Sequence, residues 1–148
     1  MLRKILSCDC GAWFPGVAPL VLRVALGAIF VYHGYDKVFT MGIPAVSGFL
    51  GSLGIPLPGL MAYVLAYGEL AAGILLILGL FTHWAAKYAA VVGVVALFVV
   101  HLPNGFSIAN GGYEFIMLIL ASAISVMFTG AGKYSVDAMW KKREMLPM

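Results

Sequence analysis

Long apolar runs, broken by glycine and proline, govern what this chain can fold into. The runs extend from about Val17 to Phe39, Leu60 to Phe81, Ala85 to Leu102 and Tyr113 to Phe128. Crossing a bilayer as a helix takes about 20 apolar residues; the first two runs reach that length and the last two fall slightly short. Between them, Thr40–Gly59 is rich in Gly and Pro and reads as a loop with room for one short interfacial helix. Thr82-His83-Trp84 reads as a tight turn. Pro103-Asn104-Gly105 and Asn110-Gly111-Gly112 bracket another loop, and Gly130-Ala131-Gly132 ends the fourth run. Composition supports a lipid setting. Hydrophobic residues make up 63% of the chain and charged residues 10%, against roughly 45–50% and about 25% in soluble domains. So apolar a chain cannot cover itself with polar surface in water. At 148 residues it is one domain by size. The expectation is all-α, an integral membrane four-helix bundle spanning 1–148.

Charge asymmetry orients the bundle. The net charge of +3 comes mainly from Arg3 and Lys4 at one end and Lys133, Lys141, Lys142 and Arg143 at the other. Lys87 adds a positive charge near the middle turn, whereas 40–59 and 103–112 carry none. Lys and Arg accumulate on the cytoplasmic side, so both termini are expected there, with both long loops outside. Basic ends on an apolar body suit anionic lipid headgroups and offer no stacking platform for nucleic acid, which is not an expected partner. Pro15, Pro19 and Arg23 interrupt any early apolar run, so no cleavable signal peptide is expected. Cys8 and Cys10, one residue apart, make no disulfide scaffold and are expected to be idle, reduced thiols.

Membrane helices pack through small residues, and these mark candidate inner faces. The stripes are Arg23, Gly27, Phe30, Gly34 and Lys37 on the first helix, and Ala62, Ala66, Glu69 and Gly73 on the second. On the third they are Ala86, Ala90 and Gly93, with His101 nearby, and on the fourth Glu114, Leu118, Ala121 and Ser125. Each stripe carries or adjoins an ionisable residue. Such residues inside a bilayer cost a few kcal/mol each and mark a site or a structural pair. At about 1.5 Å per residue, Glu69 falls roughly 13 Å below the outer surface and Arg23 about 9 Å above the inner one. The vertical gap, on the order of 7 Å, is within reach of an extended arginine. Two readings stay open: an Arg23–Glu69 ion pair that only fixes helix register, or a proton-handling Glu69 at the floor of an outward pocket. His33, Asp36, Lys37, His101 and Glu114 fall in the outer third. Asp36 and Lys37 could equally be interfacial anchors, and His101 and Glu114 could bond each other. Tyr32, Tyr35, Tyr63, Tyr67 and Tyr113 lie toward the same side, as belt residues or as the lining for a flat ring. His33 with Asp36, joined by His101 and Glu114, would be a mixed metal set, and the two histidines could hold a haem. Neither has diagnostic spacing, and no metal is expected.

The first helix carries Arg23-x3-Gly27-x2-Phe30-x3-Gly34-x2-Lys37, and the second Glu69-x3-Gly73, continuing to Gly79-Leu80-Phe81-Thr82. His101 follows the third helix, Glu114 opens the fourth, and Gly130-x-Gly132-x-Tyr134-Ser135-x-Asp137 closes the pattern. In this ordered set the chain resembles the DoxX family of small bacterial membrane proteins. The resemblance implies a four-helix bundle in the bacterial cytoplasmic (inner) membrane, crossing it several times. It also implies a link to redox chemistry, since relatives include the membrane subunit of a thiosulfate:quinone oxidoreductase. Another relative belongs to a membrane oxidoreductase complex associated with superoxide dismutase and a sulfurtransferase.

The leading expectation is therefore a membrane subunit of a quinone-linked oxidoreductase system, with quinone as the cofactor. Glu69 would handle protons and Arg23 would set its charge state, while His33, Lys37, His101 and Glu114 would bind the ligand. One alternative is a non-enzymatic scaffold anchoring a soluble redox protein through the chain's ends. Another is a small proton-coupled permease, which in so narrow a bundle would require a homo-oligomer.

Overall fold

The computed structural model describes residues 16–144. Every regular element among them is helical. Helix α1 (Val17–Tyr35) passes without a break into a π-helical stretch, Asp36–Met41, and stops at Gly42. A short helix, α2 (Ile43–Ser52), follows, and then α3 (Pro58–Leu78). Both begin with a proline in the first turn, where the missing N–H has no helical partner to lose. Helix α4 (Thr82–Val95) also ends in a π-helical stretch, Ala96–His101, and then a 3-10 turn, Leu102–Asn104. A second 3-10 turn, Ile108–Asn110, leads to α5 (Glu114–Thr129), and α6 (Val136–Glu144) closes the described chain.

Three helical stretches are long and apolar enough to cross a membrane: Val17–Met41, Pro58–Leu78 and Thr82–Asn104. Of the two shorter apolar helices, α2 and α5, the longer is α5, with 16 residues, about 24 Å at 1.5 Å per residue. Several boundaries differ from the sequence reading. The first stretch runs on to Met41, α3 starts at Pro58 and ends at Leu78, and α4 already includes Thr82. The turn is therefore Gly79–Phe81 rather than Thr82–Trp84. Gly79 ends α3 with φ 66, in the left-handed region that favours glycine. A Cβ there would lie 2.5 Å from Ser135 Cβ and 2.8 Å from Arg23 Cζ.

The core joins α1, α3, α4 and α5 through Leu26, Phe30, Ala72, Leu76, Ala85, Ala86, Ala89, Ile119, Ala123 and Val126. Half of these are alanine, so the helices approach closely, as membrane helices without a hydrophobic driving force must. Contact is tightest between the antiparallel α1 and α3. A Cβ on Gly73 would lie 2.5 Å from Val31 N and 2.7 Å from Gly27 O. That backbone contact fixes the register of the two helices that carry the ionisable residues. Helix α2 covers the far end of α3, where Val46 and Leu50 pack with Ala62 in a second, smaller core.

The inward faces expected on α1, α3 and α4 are the buried ones, apart from half-buried Lys37, Ala90 and His101. On α5 the expectation fails. Leu118 is 63% exposed and Ala121 is exposed, while Ile119, Ala123 and Val126 face the core. The large Ile119 and Val126 fill space left by the alanines of α4, so small size alone did not mark the inner face of this helix.

Candidate functional site

Glu69 lies on the buried face of α3, eleven residues past Pro58, or roughly 16 Å along the axis. Its carboxylate pairs with Lys37 from the π-helical end of α1. Nζ donates to Oε2 at 2.6 Å, with the two side chains 19% and 8% exposed. Lys37 Nζ also lies 3.5 Å from His33 O. Such a pair in an apolar span persists because each charge satisfies the other. The π-helical stretch carries an extra residue per turn, and π-turns recur where a helix must re-aim a side chain at a functional position. Exposed aromatic pairs occupy the same ends of these two helices. Tyr35 and Phe39 have ring centroids 4.8 Å apart, and Tyr63 and Tyr67 stack at 6.2 Å with planes 5° apart.

Arg23 does not partner Glu69. Its side chain, 1% exposed, sits level with the end of α3, where Nη1 donates to Leu76 O at 2.9 Å and to Ile77 O. Nε donates to Ala131 O at 3.1 Å, and Nη2 donates to Tyr134 O. The depth estimate placed Arg23 within reach of Glu69. The Gly27–Gly73 contact instead sets it seven to eight residues further along α3, about 11 Å at 1.5 Å per residue. The planar fork, with five donors, thus ties the end of α3 to the 130–135 segment.

That segment is held by more than arginine. Asp137 accepts hydrogen bonds from Phe81 N at 2.9 Å and Thr82 N at 3.0 Å, capping α4 from a distant part of the chain. Its own N–H donates to Gly79 O. Ser135 Oγ donates to Gly132 O and accepts from Ala138 N, capping α6. The residues Arg23, Gly79-Leu80-Phe81-Thr82 and Gly130-x-Gly132-x-Tyr134-Ser135-x-Asp137, noted in the sequence as one ordered pattern, form one hydrogen-bonded lock.

The remaining candidates are dispersed. His33 is exposed, edge-on to Tyr32. His101 Nδ1 lies 2.7 Å from Gly111 O and, facing a carbonyl, carries the proton that it donates. Asn104 donates to the same carbonyl, so His101 holds the 102–113 loop rather than Glu114. Glu114 is half-buried at the start of α5, its N–H donating to Phe106 O. Among the described residues no three His, Cys, Asp or Glu gather as a metal site. Cys8 and Cys10 lie outside the described residues. One residue escaped the sequence reading. Tyr88 donates its hydroxyl to Val64 O at 2.9 Å and to Leu65 O at 3.3 Å, joining α4 to α3 one turn before Glu69. The signal for it was a phenol inside an apolar run, opposite Gly68, where a Cβ would collide with the Tyr88 ring.

No solved structure matches the chain. Among curated proteins, it is 36% identical over 121 residues to a Bacillus subtilis protein named "Putative oxidoreductase CatD", covering 82% of this chain and 85% of that one. A Haemophilus influenzae protein named "Uncharacterized protein" is 34% identical over 126 residues, covering 82% and 90%. Inner membrane protein YphA of Escherichia coli is 39% identical over 75 residues, about half of each chain at 51%. The DoxX family profile matches residues 18–102, the stretch that contains Arg23, the Gly27–Gly73 contact and both partners of the Lys37–Glu69 pair. The chain therefore belongs to the DoxX family of membrane proteins.

Proposed function

We propose that the protein is a membrane subunit of a quinone-linked oxidoreductase system, with Lys37 and Glu69 as its working pair. The observation that carries the reading is that pair, an acid and a cation 2.6 Å apart inside two apolar helices. The similarity to a protein named as an oxidoreductase supports the redox class. In this reading α1, α3, α4 and α5 all cross the inner membrane, with the lysine-rich end cytoplasmic. The Lys37–Glu69 end then faces outward.

A quinone supplies a two-electron, two-proton acceptor soluble in the bilayer. The donor set fits its chemistry, since carbonyl oxygens need a proton donor and flat rings need apolar or aromatic faces. Lys37 offers the hydrogen bond and Glu69 holds or releases the proton. Tyr35, Phe39, Tyr63 and Tyr67 supply ring faces on the lipid side. Lys37 takes over the charge-setting role that the sequence suggested for Arg23. His33, one turn before Lys37 on α1, is the nearest of the other candidates in sequence, whereas His101 and Glu114 stay with the 102–113 loop. Electrons would come from a soluble redox protein or a small reductant.

The test is the quinone content of protein purified gently from its native membrane, alongside Glu69→Gln and Lys37→Gln. Near-stoichiometric quinone in the wild type, reduced at least tenfold in both variants, supports the site. Its absence from all three, with the variants folded, overturns quinone binding and leaves a scaffold for a soluble partner as the better reading.

A further inference from the structure

Away from the Lys37–Glu69 pair, the opposite end of the molecule carries a group of lysines. Lys87, Lys133, Lys141 and Lys142 all lie toward the Arg23 end. None of the described carboxylates pairs with them, since Lys37–Glu69 is the one ion pair among the described residues. Asp137, four residues from both Lys133 and Lys141, spends both oxygens on the N–H groups of Phe81 and Thr82. Two of the lysines lie over aromatic rings instead: Lys87 Nζ is 4.5 Å from the Trp84 ring centroid, and Lys133 Nζ is 5.9 Å from that of Tyr134. The same end exposes large apolar side chains. Phe81, Trp84, Met139 and Trp140 are each at least half exposed, and the Phe81 and Trp140 rings meet edge-on at 6.1 Å.

Helix α6 is not free to swing away from this end. Asp137 N donates to Gly79 O, the Asp137 carboxylate caps α4, and Arg23 grips Tyr134 O just upstream. Its first turn is thus fixed against the ends of two apolar helices, at the depth where they leave the hydrocarbon. Tryptophan and tyrosine favour that depth, and lysines there extend their heads toward phosphates.

We infer that α6, with the α3–α4 turn, forms a docking surface for anionic phospholipid headgroups. Trp84, Trp140 and Phe81 sit at the acyl boundary, and Lys87, Lys133, Lys141 and Lys142 bind the phosphates. The charge selects the occupant: lysines with no ion pair among the described residues, beside exposed aromatics, match an acidic lipid surface, whose attraction for each lysine is about 1 kcal/mol. This surface is independent of quinone binding and needs only that the apolar helices lie in a bilayer.

The experiment compares phosphatidylglycerol with phosphatidylcholine retained by the full chain after exchange in mixed micelles, read by native mass spectrometry. The wild type is expected to prefer phosphatidylglycerol. Lys141→Gln with Lys142→Gln should weaken that preference about fivefold for each lysine removed. Both residues are exposed and outside the lock, so the variant should fold. Lys141→Arg with Lys142→Arg should keep the preference, and raised salt should erode it in the wild type. Equal retention of the two lipids by the wild type overturns the proposal and assigns the basic end to an acidic protein partner. A preference unchanged in the glutamine variant overturns it as well.

Discussion

Lys37 and Glu69 depend on each other in a way that mutagenesis can measure. Removing either partner strands the other as an uncompensated charge, which in a buried setting costs about 3–5 kcal/mol. Lys37→Met and Glu69→Leu should each lower thermal stability in detergent strongly. The double variant should be milder than the sum, with a coupling of about 1–3 kcal/mol in a double-mutant cycle. Additive losses would mean that the 2.6 Å contact does no work. Arg23 makes the contrasting prediction. Its donors reach carbonyls on separate segments, Leu76 and Ile77 on one side and Ala131 and Tyr134 on the other. Lysine has a compact head with three donors and cannot span them. Arg23→Lys should therefore cost about 2–3 kcal/mol on the scale of charged hydrogen bonds, read as a fall in thermal unfolding temperature. If the Lys37–Glu69 pair is the working site, bound quinone in the surviving fold should be unchanged. Which residues are ionisable and inside the spans could be read from the chain. Who pairs with whom could not, because an arginine reaches several angstroms in any direction and only the neighbouring backbone decides which acceptors it meets.

Among the elements, the α1–α3 contact is where sequence and structure agree best. Gly27, Gly34 and Gly73 stand out in apolar helices, and the structure places Gly27 and Gly73 against each other. Gly73→Ala would set a Cβ 2.5 Å from Val31 N. Forcing the helices apart should cost about 1–3 kcal/mol and also lengthen the Lys37–Glu69 contact, so both stability and quinone retention should fall. An alanine variant as stable as the wild type would show that the helices are not locked there. Helix α5 teaches the reverse lesson. Its small residues Ala121 and Ser125 suggested an inner face, yet Ile119 and Val126 are the buried ones. Facing helices share volume, and alanines on α4 leave room for larger partners. The π-helical ends of α1 and α4 were likewise illegible, because neither Asp36–Met41 nor Ala96–His101 contains a Gly or Pro that would mark a change of winding.

For the whole molecule, the basic end and the uncharged loops make a prediction about topology. In a background with Cys8 and Cys10 replaced by serine, Ser107→Cys should react with an impermeant maleimide on intact spheroplasts. Lys141→Cys should react only after permeabilisation. Labelling of Lys141→Cys from outside would mean that α5, with 16 residues, does not cross, and that three spans is the correct count. The sequence by itself determined a helical membrane protein, the inner faces of α1, α3 and α4, and a short set of ionisable residues within the spans. Hydropathy and small-residue spacing are local properties, written into each helix whatever its neighbours. Only the tertiary structure decided that Glu69 meets Lys37, that Arg23 and Asp137 lock the far end, and that α5 turns Ile119 inward. Those outcomes depend on helix register, which is set by backbone contacts between residues far apart in the chain.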